Sequence, residues 1–340
     1  MAQMLEHHAS QGVEAFIITD NGSVDGTWEI LKSFAANHEV DLRRDPVHRM
    51  QQFSTVTQMA RDAYDKYGAT WVINADADEF WRPKVGDLTL AEALAHVPTR
   101  IRSFPVDVVN LTGLPARDGT GLDRLVYRDV RSNEQLSLIG LRAQPTHNCI
   151  HIGSPDVQVV QGNHWTSLQS RGVPAPEFEI EALHLPWRSW EQYRRKIDNM
   201  GRGYSENPVV TPSPNHHGMR DYHRLLGGTL EALYVLRHPL PEDIATGTSQ
   251  GWLVEEKLLA DEQLGGVPDT LYHPEAVTSI RQLCDAILAM EKQYRDLEAE
   301  RDTYRGELAM YMQRLDDEYN LRISLEKQLG HRRFRHKKTT

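Results

Sequence analysis

Residues 74–81 read Asn-Ala-Asp-Ala-Asp-Glu-Phe-Trp, directly after the apolar run Thr70-Trp71-Val72-Ile73. Asp76, Asp78 and Glu79 place three carboxylates within four residues. Like charges this close repel one another, and the end of a buried strand solvates them poorly. Positive charge is therefore expected beside them, most simply a divalent cation. Asn74-x-Asp76-x-Asp78 opens like an EF-hand loop, but that loop needs glycine at its sixth position and glutamate at its twelfth. Glu79 and Val85 stand there instead. A phosphoaspartyl hydrolase continues Asp-x-Asp-x-Thr/Val, and Phe80 breaks that pattern. What remains is Asp76-x-Asp78 holding Mg²⁺ or Mn²⁺ against a diphosphate, since Mg²⁺ binds through one or two carboxylates plus substrate phosphates.

A second acidic turn, Thr-Asp-Asn-Gly-Ser-Val-Asp-Gly-Thr, spans residues 19–27. Asn21 and Gly22 suit a left-handed turn, and Asp25 or Thr27 suits the start of a helix. Good turn chemistry accounts for Asn21, Ser23 and Asp25 as well as ligand binding does. Asp20 is different, because a turn needs no carboxylate at the strand end itself.

The elements that position these turns follow from apolar periodicity. Residues 14–19 and 69–76 read as buried strands, 39–44 as another, and 27–38 and 53–68 as helices, the second stopped by Gly68. Strands alternating with helices predict a parallel sheet covered on both faces, with ligands beyond its carboxyl edge. Both acidic turns fall at such ends. From about 100 to 185 the pattern predicts strands at 101–111, 124–130, 136–143 and 156–165, an α+β extension of the sheet. Residues 189–207 read as a basic amphipathic helix, and 205–218, rich in Pro, Ser and Asn, as an exposed loop. From Ile280 apolar residues recur at spacings of three and four through Leu315, interrupted at Arg301 and losing register near Glu318 and Arg322. That predicts a coiled coil over 280–330 and hence a homo-oligomer, followed by a basic tail at 331–340.

Composition narrows the class. A net charge of −10 argues against sequence-independent nucleic-acid binding. Two cysteines, Cys149 and Cys284, make neither a disulfide framework nor a zinc site and suit a reducing compartment. No run of 18 apolar residues predicts a membrane span, and residues 1–16 lack the pattern of a secretory signal. A soluble cytoplasmic protein is the expectation.

The segment 12–31, followed some fifty residues later by 68–81, resembles the glycosyltransferase 2-like group of GT-A glycosyltransferases. Residues 179–197, Glu-Ile-Glu-Ala-Leu-His-Leu-Pro-Trp-Arg-Ser-Trp-Glu-Gln-Tyr-Arg-Arg-Lys-Ile, resemble the histidine-arginine-serine segment towards the end of that domain. The resemblance implies a GT-A fold, a mixed Rossmann-like sheet flanked by helices, over 1–205. A helical and loop extension at 206–279 would lead to the coiled coil. It implies sugar transfer from a nucleotide-sugar donor, UDP- or GDP-linked, to a glycan hydroxyl, with Mn²⁺ or Mg²⁺, in the building of a surface or capsular polysaccharide. Asp20 would then bond the nucleotide base, Asp76 face the ribose and metal, and Asp78 ligate the metal. His164 or His184 would supply a further ligand, and Arg188 and Lys196 would pair with the diphosphate. The general base is left open among Glu79, Asp156, His164 and Glu177. In that group a strand with an Asn/Asp-Glu turn precedes the helix ending His-His, and this chain begins inside the helix. A central strand is therefore expected to be missing.

Two other readings compete. A decayed GT-A domain carried on a coiled coil would be a non-catalytic scaffold, but decay gives no reason to keep Asp20, Asp76 and Asp78. A nucleotidyltransferase would carry a glycine-rich basic loop near its start, and this sequence has none there.

Overall fold

A computed structural model describes residues 1–45, 52–206, 212 and 216–336. It divides into two units, Met1–Arg281 and Gln282–Thr340. Most of the loop expected at 205–218, and the last four residues of the basic tail, lie outside the described residues.

The chain opens with α1 (Ala2–Ser10), β1 (Phe16–Asp20), α2 (Thr27–Ala35), β2 (Val40–Arg44), α3 (Gln52–Tyr67) and β3 (Trp71–Ile73). This is the alternation the periodicity predicts, and α3 stops where Gly68 takes φ 62°. Next come β4 (Glu79–Pro83), α4 (Leu90–His96), β5 (Ser103–Thr112), β6 (Ala116–Asp118), β7 (Tyr127–Asp129), α5 (Asn133–Leu138), β8 (Asn148–Ile152) and β9 (Ile180–His184). The first unit continues through α6 (Trp190–Ser205), α7 (His217–Leu226), α8 (Leu230–Arg237), α9 (Pro241–Gln250), β10 (Leu253–Glu255), α10 (Leu258–Asp261) and β11 (Thr270–Leu271). Helix α11 (Pro274–His336) begins in the first unit and makes up the described part of the second. No helix among the described residues is long and apolar enough to cross a membrane.

The sheet differs from the parallel one expected. β1 and β2 do pair in parallel, Phe16 opposite Val40, but as a sheet of their own. A larger sheet of seven described strands runs β10-β7-β5-β8-β3, with β9 beside β5 and β4 beside β9. In it β5 and β9 are parallel, and the other pairs are antiparallel. The reason lies in the connections. Parallel neighbours need a crossover of a dozen or more residues, usually a helix. Between residues 102 and 179 the described chain holds a single α-helix, α5, of 6 residues. A strand joining β1 to β3 is not among the described strands, so each pairs on one side only.

Two expected strands are replaced. In 136–143 the first residues belong to α5, started by a reciprocal cap between Ser132 and Gln135 that outweighs the apolar run. In 156–165 pairing is reduced to one bridge, Val159 with Thr166, because Gly162 and Asn163 at φ 84° and 61° turn the chain back on itself.

Both faces of the large sheet are covered, which is why its strands read as continuous apolar runs. On β4, Phe80 joins a cluster with Met4, Leu5, Leu31 and Phe34, while its neighbour Trp81 joins another with Leu90, Leu94, Phe104 and Ile150. Leu183 and Ala182 of β9 divide the same way. Each such side chain contributes roughly 1.5–3 kcal/mol on burial.

The His7-His8 pair fastens α1 to β4. His7 donates Nε2–H to the carbonyl of Trp81 at 2.9 Å and turns Nδ1 to Glu262 at 2.8 Å. His8 donates Nδ1–H to the carbonyl of Met4 and accepts the Trp81 amide on Nε2. That second bond needs an unprotonated nitrogen. Burial, then the charge of His7, pushes the pKa of His8 down to about 3. Its unfolded value lies near 6.5, so between about pH 6.5 and 3 the unfolded chain binds the extra proton and stability falls with pH. Buried His238 behaves alike, pushed down to about 3. Replacing His8 with glutamine should flatten the acid limb by about 1.4 kcal/mol per pH unit between roughly pH 4 and 6. Urea unfolding at a series of pH values measures this, and an unchanged slope would contradict it.

Candidate active site

The turn between β3 and β4 carries Asp76 and Asp78, and the cation beside them is Lys196 of α6. Its Nζ lies 2.5 Å from Asp78 Oδ2. His184, the last residue of β9, brings Nε2 to 3.6 Å from the same oxygen. His184 Nδ1 is 2.9 Å from Asn110 Oδ1 on β5. An amide oxygen only accepts, so Nδ1 carries a proton and Nε2 is the nitrogen turned to Asp78. Enclosure by the protein opposes the charge on Asp78, but Lys196 and then His184 outweigh it and hold its pKa well below the carboxylate range. Enclosure, and then the charge of Asp78, push Asp76 the other way. The pair is split, with Asp78 the firmly ionised member. Lys196 keeps its proton more tightly than usual, because Asp78 outweighs its desolvation.

Asp76 is exposed, and Lys196 keeps 41 % of its side chain accessible. Both nevertheless feel the surrounding protein in their pKa shifts. Arg188, just ahead of α6, is part of the same charge cluster. Burial lowers its pKa against the pull of Asp78, and its Nε is buried without a hydrogen-bond partner. It is placed to receive an anion.

The turn is held from beneath. Glu79 is buried, and its carboxylate accepts the Asn148 side-chain amide at 2.7 Å, the Asp76 backbone amide at 3.1 Å and the Trp81 indole at 3.1 Å. Burial, then the charge of Asp76, push its pKa up to about 7. With these partners it acts as an anchor of the turn. Its reading as general base meets the difficulty that it is buried.

From above, Asn163 donates Nδ2–H to Asp76 Oδ1 at 3.1 Å, while its own Oδ1 is buried without a partner. His164 follows, with Nδ1–H donated to the carbonyl of His147 at 3.0 Å, so its Nε2 is the basic nitrogen. Its charge reaches Asp76 weakly. Trp165, 58 % exposed, ends the hairpin.

The first acidic turn is separately built. Asp20 is buried at the end of β1, and both its oxygens lie 3.3 Å from the amide of Ser23. Asn21 is exposed and Ser23 half-buried. Asp25 does not cap α2; Gly26 occupies that position in the left-handed region, and Asp25 takes the hydroxyl and amide of Thr27 instead. Thr27 chiefly, and Arg195 of α6 to a smaller extent, lower its pKa. Charge on helix α6 is thus felt at both turns. Asp156 and Glu177 hydrogen-bond to none of these groups.

Sequence reasoning missed Asn110, Asn148 and Asn163. Only Asn163 carried a signal, the Gly-Asn pair of a tight turn. Replacing Asn163 with glycine, which keeps the positive φ, should weaken metal-dependent ligand binding by about 10–100-fold, as loss of an outer-shell partner does. Titration calorimetry measures this, and unchanged affinity would deny Asn163 the role.

Residues 1–111 match the family model of glycosyltransferase family 92. The match, rather than one to the 2-like group, supports a glycosyltransferase. It spans both acidic turns and ends before His164, His184, Arg188 and Lys196. No curated protein and no solved structure matches the chain.

Proposed function

We propose that this chain is a metal-dependent glycosyltransferase of GT-A type, moving a sugar from a UDP- or GDP-sugar to a hydroxyl of a glycan. The observation that carries the reading is the convergence of Asp78 with His184 Nε2, beside Asp76 and the guanidinium of Arg188, whose Nε has no hydrogen-bond partner, next to a turn inside the family match. Among the described residues no three His, Cys, Asp or Glu side chains form a complete metal site. A cation that borrows ligands from a diphosphate does not require one. Two ligands on one cation at about 2.0–2.1 Å stand roughly 3–3.5 Å apart, so the 3.6 Å between Asp78 and His184 suits Mg²⁺ or Mn²⁺ with small adjustment. The orphaned Asn163 Oδ1 leaves an acceptor for a water or hydroxyl there.

When bound, the cation supplies Lewis-acid relief of charge on the leaving diphosphate. Asp78 and His184 hold it, and Asp76 faces it, oriented by Asn163 and by Glu79 below. Arg188 and Lys196 take the diphosphate oxygens, Lys196 swinging from Asp78. His164, through Nε2, is the candidate to take the acceptor's proton. Cys149 and Cys284 are buried and in no disulfide, which suits a reducing, cytoplasmic setting.

The test is the thermal midpoint of the full chain with UDP-, GDP-, TDP- and CMP-sugars, with and without Mn²⁺. A ligand at a hundred times its dissociation constant stabilises by about 2.7 kcal/mol, or several degrees at roughly 2–4 °C per kcal/mol. A metal-dependent shift with one nucleotide class identifies the donor. No shift in a folded chain would sink the proposal and favour the scaffold.

A further inference from the structure

The apolar seam of α11 has polar faults, and their positions specify a partner. With Leu283 set at heptad position d, the a and d positions run Ile287, Met290, Tyr294, Leu297, Arg301, Tyr304, Leu308, Tyr311, Leu315, Glu318, Arg322 and Leu325. From Met290 onward every apolar member is exposed, between 49 % and 69 %. Among the described residues Arg301 pairs locally with Glu298 and Asp302, and Arg322 with Glu326. A stripe of this length left in water is stable only when a second helix covers it.

A second copy can cover it in two ways. Aligned parallel and in register, every layer meets itself. Arg301 would face Arg301, Glu318 would face Glu318 and Arg322 would face Arg322, three like-charged layers offset only by a flanking Glu300–Arg305 pair. Aligned antiparallel, a positions face d positions. With the twofold axis between Ala309 and Met310, Arg301 faces Glu318 of the second copy, and the symmetry makes that pair twice. The remaining layers become Leu308 with Tyr311, Tyr304 with Leu315, and Tyr294 with Leu325. Arg322 lies over Leu297, its stem apolar and its head free to reach Glu326. Flanking the seam, Glu307 meets Arg314.

We propose that the C-terminal helix docks a second copy of itself in antiparallel alignment, centred between Ala309 and Met310, with Arg301 and Glu318 selecting orientation and register. Buried charge at core positions is the usual device for that selection. The inference is independent of the transferase reading, because its readouts are mass and cross-linking.

The experiment uses the full chain, whose native Cys149 and Cys284 are buried. Leu297→Cys and Arg322→Cys are made as separate proteins and oxidised mildly, alone and mixed. In the antiparallel dimer two copies of position 297 stand 25 residues apart along the helices, about 37 Å, so neither variant cross-links alone and the mixture does. Arg301→Glu should weaken the dimer about tenfold or more by sedimentation, and adding Glu318→Arg should restore it. A disulfide in either protein alone, an unrescued double variant, or a monomer at about 100 µM, well above the Kd expected of a stable coiled coil, would each overturn the proposal.

Discussion

Asp78→Ala is expected to lower sugar transfer by about 10³-fold, as loss of a main charge-stabilising group does, while leaving a folded chain. Asp78 is buried, but its partner Lys196 is 41 % accessible and can be solvated once released. The stability cost should therefore stay near 1–3 kcal/mol, below that of a fully buried broken pair. Lys196→Met is the informative companion. Lys196 occupies the Asp78 oxygen that the proposed cation needs, so removing it should tighten binding of Mn²⁺ alone. The same substitution should weaken binding of the nucleotide-sugar, because an ammonium that would meet the diphosphate is gone. Effects of opposite sign on metal and donor are hard to obtain from general damage. If Lys196 is instead the resident cation of a site that takes no metal, Lys196→Met loses the donor and Mn²⁺ changes nothing in either protein. Calorimetry with Mn²⁺, then with nucleotide-sugar, separates the two results.

The sequence made the acidic turns legible because their chemistry is local. Asp20 and Asp76-x-Asp78 follow short apolar runs, and β1 does end on Asp20 and β3 before Asp76. The cation was legible only in kind. Lys196 lies 118 positions from Asp78, and nothing in the spacing of a helix predicts which strand end it will meet. The asparagines were illegible for the same reason: Asn163 reaches Asp76 across 87 positions, and Asn148 reaches Glu79 across 69. Strand direction was not legible after residue 100, where periodicity marks buried strands but carries no information on how they are joined. The His-His pair of α1 was visible only as part of a family pattern. Its physical purpose, two ring nitrogens on the main chain of Trp81, needed coordinates.

Asp221→Asn should be the most destabilising single change in the first unit, by about 3–5 kcal/mol, or roughly 10 °C in thermal midpoint. Asp221, on α7, is 3 % exposed. It receives Arg237 of α8 bidentately at 2.8 and 2.9 Å, Arg224 at 2.7 Å and the hydroxyl of Tyr193 on α6. Arg237 is completely buried, so loss of the carboxylate strands its charge where water cannot reach. Burial opposes ionisation of Asp221, but Arg237 and Arg224 outweigh it and hold its pKa far below the carboxylate range. Its contribution is therefore full above the unfolded value near pH 3.9 and is lost as pH falls below it. The gap between wild type and Asp221→Asn should be constant from pH 5 to 8 and shrink towards pH 2. Arg237→Met should also destabilise, and the double variant should be far less damaged than the sum of the two, since each single change orphans the other's partner. Because Tyr193 lies three residues before Lys196 on the same helix, Asp221→Asn should also weaken donor binding without touching the donor. Additive losses, or a gap that persists at pH 2, would mean that the network packs the helices but does not act through its charge.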